Sequence, residues 1–190
     1  MLWLRRPPRS WPLHTKGLLV AALLLTLLVP TANGALRTEG GPVESVSLGW
    51  ADVVPQSQEN SCGPALLATM LKRDGVEVSE AQLIAAANMG PGGVSLAEFS
   101  RLAASHGLEG EWLQTLNRSI RPLSTPAVLH TNSGSGHFIL IEQLAGSYAV
   151  VTDPAAGREL RPVTKIEEQW SGYFFRFENV HRTGNPLRRG

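Results

Sequence analysis

Three hydrophobic rhythms divide the 190 residues. An apolar block, Leu18–Val29, is broken only by Thr26. Between residues 62 and 106 apolar positions recur every three or four residues, the period of helices with one buried face. From residue 108 onward they form short extended runs bounded by Gly, Pro and Ser, the mark of strands.

In the helical stretch, Pro64 suits a first turn because that position needs no N–H, and Ala65–Arg73 predicts a buried helix ending before Gly75. Ser79–Asn88 predicts a second helix, with Ser79 as N-cap and Gln82 closing a capping box. After the Gly90-Pro91-Gly92-Gly93 turn, Ser95–His106 repeats this logic with Ser95 and Glu98. Leu96, Phe99, Leu102 and Ala103 form its apolar stripe, and Gly107 ends it. The predicted strands are 108–114, 126–130, 137–141, 148–152 and 173–177, with Gly146-Ser147 as a hairpin turn and a short helix over Lys165–Trp170. Helices first and an antiparallel sheet afterwards define an α+β fold.

The block Leu18–Val29 follows Arg5, Arg6, Arg9 and Lys16 and precedes the small residues Ala32-Asn33-Gly34. Its twelve residues are fewer than the ~20 that span a bilayer, and this order of segments predicts a signal peptide over 1–34, cut after Gly34. An uncleaved anchor is the alternative. Either way the remainder is expected to be exported: periplasmic or secreted, or membrane-anchored if the segment is retained. Residues 35–52 are Gly-rich and aperiodic and predict a linker. The folded domain is expected over 53–177, with a frayed tail at 178–190.

Residues 1–34 hold four Lys/Arg and no acid, so the mature part carries 13 basic against 16 acidic residues, a formal −3. That balance does not suggest a nucleic-acid partner. About 155 mature residues make one domain, expected to be a monomer. Cys62 is the single cysteine, so no internal disulfide can form. In an oxidising compartment a lone thiol is a liability unless buried or used.

Cys62 lies in Gln56-Ser57-Gln58-Glu59-Asn60-Ser61-Cys62-Gly63-Pro64-Ala65, at a loop-to-helix junction. Helix N-termini favour thiolates, which points to a nucleophile, whereas a buried apolar filler is the plainer reading. A nucleophile needs a base, and the base needs an orienting acceptor. His137 opens one strand after the loop 131–136, and Asp153 closes the next. Counted from the hairpin turn, both reach the same edge. His130, seven residues earlier, is a rival base. Gln56, six residues before Cys62, is the candidate for an oxyanion hole with the Cys62 backbone N–H, and Gln58 competes with it. A zinc site from Cys62, His130, His137 and Asp153 lacks any short ligand spacing. No metal or cofactor is expected.

Gln56 with Cys62-Gly63-Pro64-Ala65, Gly93-Val94-Ser95-Leu96, Gly136-His137-Phe138-Ile139-Leu140-Ile141, Asp153-Pro154-Ala155 and Trp170-Ser171-Gly172 occur in that order. Together they resemble the double-glycine leader (bacteriocin-processing) cysteine peptidases, the domains at the front of bacteriocin-exporting ABC transporters. The resemblance implies a papain-like fold, with Cys62 as nucleophile, His137 as general base and acid, Asp153 as orienting carboxylate and Gln56 in the oxyanion hole. It also implies a peptide or protein substrate cut after small residues of the Gly-Gly type, with a membrane transport or export system as a candidate partner. The family's exporters continue into transmembrane helices and an ATPase and work in the cytoplasm, whereas this domain is expected to be exported and to transport nothing itself. Acyl or peptidyl transfer on the same fold and non-catalytic peptide binding are the alternative activities.

Overall fold

The computed structural model describes residues 44–178, so the predicted signal segment and most of the tail lie outside the described residues. Helix α1 (Cys62–Arg73) organises the helical half. Its residues 62–71 are all buried, and a helix apolar on every side must be packed on every side. Around it lie α2 (Glu80–Ala86) and α3 (Leu96–Ser105), each started as predicted by a serine N-cap, Ser79 and Ser95. Ser79 and Gln82 complete the capping box; Ser95 accepts from the Glu98 N–H, while the Glu98 carboxylate turns to the Asn88 N–H and Arg101. Among the described residues no helix is long and apolar enough to cross a membrane.

The described residues also form seven antiparallel strands, the first ahead of the helices: β1 (Val46–Gly49), β2 (Gly110–Gln114), β3 (Ala127–Thr131), β4 (His137–Ala145), β5 (Tyr148–Asp153), β6 (Gly157–Pro162) and β7 (Trp170–Phe177), with helix α4 (Val163–Gln169) before the last. Their spatial order is β1-β6-β5-β4-β3-β7-β2. Successive residues of a strand point to opposite faces, so the unbroken apolar runs of β3 and β4 mean that both faces are covered. Val128, Phe138 and Leu140 face α1–α3, where Phe99 stacks on Phe138 with ring centroids 5.1 Å apart. Leu129, Ile139 and Ile141 face the other way, onto Val163 and Ile166 of α4 and the fully buried Trp170.

Two strands correct the expectations. Val46–Gly49, placed in the linker, pairs as β1 with β6, which was not predicted at all. The domain therefore starts before Val53. Both strands evade a hydrophobic reading for the same reason: β1 is an edge strand with Val46 and Leu48 exposed, and β6 (Gly-Arg-Glu-Leu-Arg-Pro) buries charges in ion pairs rather than apolar groups.

Ions also fasten α1 to the sheet. Glu142 of β4 accepts from Arg73 at the end of α1 (2.9 Å), from Arg158 of β6 (2.7 Å) and from the Thr152 hydroxyl. Burial disfavours this carboxylate, but hydrogen bonds from Arg158 and Thr152 and the charges of both arginines leave its pKa below the ordinary value. At the other end of α1, a Cβ on Gly63 would stand 2.4 Å from Val94 Cγ2, so only glycine lets the first turn approach that loop. Glu142→Ala strips two half-exposed arginines of their partner. It is expected to lower unfolding stability by about 2 kcal/mol, read as a fall in urea midpoint, with Glu142→Gln losing less.

Candidate active site

The loop that delivers Cys62 is fixed by a buried acid. Glu80, 8% exposed at the start of α2, accepts the Ser61 hydroxyl at 2.6 Å and the Ser57 N–H at 2.9 Å. Ser61 stands at the N-cap of α1, yet its hydroxyl makes no cap bond to the helix. First-turn N–H groups at the Cys62 end are thus left without a side-chain cap, in the place where a helix attracts negative charge. Cys62 itself is 3% exposed.

From the sheet side, Thr152 pairs with Leu140, which puts Asp153 on the edge occupied by His137. His137 Nε2 donates to Asp153 Oδ1 at 2.7 Å. A carboxylate only accepts, so Nε2 carries a hydrogen and Nδ1 is the nitrogen free to exchange a proton. Cys62 is the other group whose proximity acts on the ring's titration. The hairpin geometry expected from the sequence therefore sets His137 against Asp153, with Cys62 near the same ring.

Burial disfavours the imidazolium, but hydrogen bonds to Asp153 and Cys62, and the charges of those groups, raise the His137 pKa from 6.5 to about 9. Burial likewise disfavours the Asp153 carboxylate. Against it stand His137, the Arg161 guanidinium (Nη2 to Oδ2, 2.8 Å) and the Ala155 N–H (2.9 Å), and the pKa falls from 3.8 to about 2.

Gln56 is held from both ends. Its backbone N–H donates to the Pro154 carbonyl at 2.9 Å, and its side-chain Nε2 donates to the carbonyls of Gln58 (3.0 Å) and Glu59 (3.2 Å). Gln56 Oε1 is buried without a partner, whereas the competing Gln58 is exposed. The rival base His130 is engaged elsewhere. The Ser171 hydroxyl donates to the His130 carbonyl (2.7 Å) and accepts from His130 Nδ1 (2.9 Å). Burial and the neighbouring His137 charge lower the His130 pKa. His130, Gly92, Gly93, Val94, Gly136 and Phe138 line a cleft of about 330 Å³. Arg161, Glu159 and Glu80 were not foreseen: a charged side chain on an unrecognised strand, or at a helix start, reads as solvated surface until the fold buries it.

A cysteine opening the central helix of an α+β domain, with a His–Asp pair on the antiparallel sheet, defines the class: this is the fold of the papain-like cysteine peptidases. The chain belongs to the Peptidase C39 family, which matches residues 50–180. A Pseudomonas aeruginosa relative, named probable functional amyloid protease FapD, is 30% identical over 148 residues, covering 73% of this chain and 66% of its own length. The chain thus spans just under two thirds of that relative. Among solved structures, the peptidase domain of Streptococcus ComA, a bifunctional ABC transporter involved in quorum sensing, matches with a TM-score of 0.59 at 21% identity. That match covers 66% of this chain and 96% of the domain. A double glycine motif protease from an AMS/PCAT transporter, solved with its leader peptide, matches with a TM-score of 0.58 at 24% identity, over 71% of this chain and 97% of its own. These two likenesses establish the fold. The resemblance to double-glycine leader peptidases and the papain-like α+β architecture expected from the sequence both hold.

Linkage fixes the pH behaviour of the pair. His137, raised from 6.5 to about 9, contributes stability in full below its unfolded value and loses it as pH rises through about 9. Asp153, lowered from 3.8 to about 2, contributes above its unfolded value and loses it as pH falls through about 2. In Asp153→Asn the His137 titration midpoint, followed by NMR of its Cε1–H group, is expected to move down towards 6.5.

Proposed function

We propose that this is an exported peptidase that hydrolyses peptide bonds after small residues, with Cys62 as nucleophile, His137 as base and acid, Asp153 as orienting carboxylate and Gln56 in the oxyanion hole. The hydrogen-bonded His137–Asp153 pair, with Cys62 at the start of α1 near the same ring, carries this reading. Cys62 Sγ adds to the carbonyl carbon with its proton held on His137 Nδ1. The C–N bond then breaks as His137 gives that proton to the leaving amine. Water, deprotonated by His137, adds to the thioester and releases the acid and the thiol. The oxyanion is met by the uncapped N–H of Cys62 and by one Nε2 hydrogen of Gln56, which turns from its loop carbonyl as charge develops.

Support for small residues comes from the leader-bound double glycine protease of the same fold and from the glycine-rich cleft lined by Gly92, Gly93 and Gly136, whose Val94 and Phe138 also pack against Gly63 next to Cys62. Support for export comes from the basic, apolar and small-residue order of residues 1–34. An export system that delivers the substrate polypeptide is the partner this reading implies, in keeping with the transporter context of the ComA and AMS/PCAT peptidase domains.

The test is cleavage of fluorogenic peptides carrying Gly-Gly before the scissile bond, together with alkylation of Cys62 by iodoacetamide across pH. Cys62→Ala is expected to abolish cleavage, and His137→Ala to abolish cleavage and rapid alkylation at neutral pH. His130→Ala is expected to retain both, and Gln56→Ala to lower kcat about 100-fold while alkylation persists. Alkylation lost in His130→Ala and kept in His137→Ala would reverse the assignment of the base.

A further inference from the structure

Asp153 does not hold His137 alone. Arg161, on the strand that escaped sequence prediction, places Nη2 2.8 Å from Asp153 Oδ2 and, with Nε at 3.0 Å and Nη2 at 2.8 Å, grips Glu159 Oε2. All three side chains are largely enclosed, at 13% exposure for Arg161, 8% for Asp153 and 15% for Glu159. Strand β6 that carries the pair is backed by β1, where Ser47 lies opposite Glu159. Other titratable groups facing His137 are Cys62 from α1, Asp153 from β5 and His130 from β3. Arg161 is the cation behind this set.

We propose that Arg161, oriented by Glu159, is a positioning residue of the peptidase site: it locks the Asp153 carboxylate with Oδ1 towards His137 and offsets part of its charge. An uncompensated buried carboxylate would hold the imidazolium too tightly for His137 to give its proton up to the leaving amine, since an effective acid has a pKa near the working pH. A guanidinium on the far oxygen weakens that hold and keeps the near oxygen aimed. The inference rests on the roles proposed for His137 and Asp153, and its sign is specific. Removing Arg161 raises the proton affinity of His137, and removing the Glu159 charge, which exposes more of the Arg161 field, lowers it.

The experiment is an NMR titration of the Cε1-labelled histidines in the full chain, with His137 identified by its loss in His137→Gln. Arg161→Met is expected to raise the His137 midpoint by about half a unit or more, Arg161→Lys to stay within about 0.2 units of the parent, and Glu159→Gln to lower it. No change or a fall in Arg161→Met overturns the proposal. If that variant does not fold, an unchanged or raised midpoint in Glu159→Gln does so instead. As a second readout, kcat of Arg161→Met should fall about tenfold on a Gly-Gly anilide and little on the matching activated ester, whose leaving group needs no proton. Equal losses on both substrates would mean a merely structural role and overturn the proposal. Cys62→Ala separates the two readings. If it leaves the His137 midpoint unmoved, the cysteine–histidine pairing fails, while the arginine coupling is still read from its own variants.

Discussion

A buried negative charge at Asp153 is the constraint around which this domain is arranged. A carboxylate whose side chain is 8% exposed stays ionised only if its lone pairs are filled, and three elements fill them: the His137 ring from β4, the Ala155 N–H from the turn that follows, and the Arg161 guanidinium from β6. Each of those donors is in turn placed by something further out, Arg161 by Glu159 and β6 by the edge strand β1. Polar satisfaction, rather than apolar packing, explains why a charged, exposed-looking stretch is ordered at all.

The second requirement is that a helix and a sheet meet at a fixed distance, because Cys62 is carried by one and His137 by the other. Apolar contacts between α1 and β4 give attraction without register. Register comes from directional contacts at both ends of the helix. Glu142 ties Arg73 to three strands at the C-terminal end, and the Gly63–Val94 approach and the Gln56 N–H to Pro154 bond fix the N-terminal end. The last bond joins the loop before Cys62 to the residue after Asp153, so the two halves are stitched at the reactive centre itself.

Much of this was legible in the sequence because it follows local rules. Serine caps announced α2 and α3, the apolar runs announced β3 and β4, and counting back from Gly146-Ser147 put His137 and Asp153 on one edge. What stayed hidden depends on neighbours distant in the chain. β1 is a strand only because β6 offers it hydrogen bonds. Likewise, the charged side chains of β6 are held by ion pairs whose partners, Asp153 and Glu142, sit on other strands. Glu80 looked like an ordinary first-turn acid. Its second task, clamping Ser57 and Ser61, is visible only when α2 is folded against the loop.

That clamp makes the loop a tenant of α2. The seven residues of this helix are too few to be stable by themselves, so α2 persists only while Leu83 is packed in the core. Because Ser61 spends its hydroxyl on Glu80 instead of on its own helix, fraying of α2 releases Ser57 and Ser61 together. The segment ahead of the thiol then keeps the Gln56 N–H to Pro154 and Asn60 to Gly90 contacts but loses the anchor at its two serines. Local opening of α2 and loosening of the loop that delivers Cys62 are therefore coupled through one carboxylate, on a small helix remote from the sheet that carries His137.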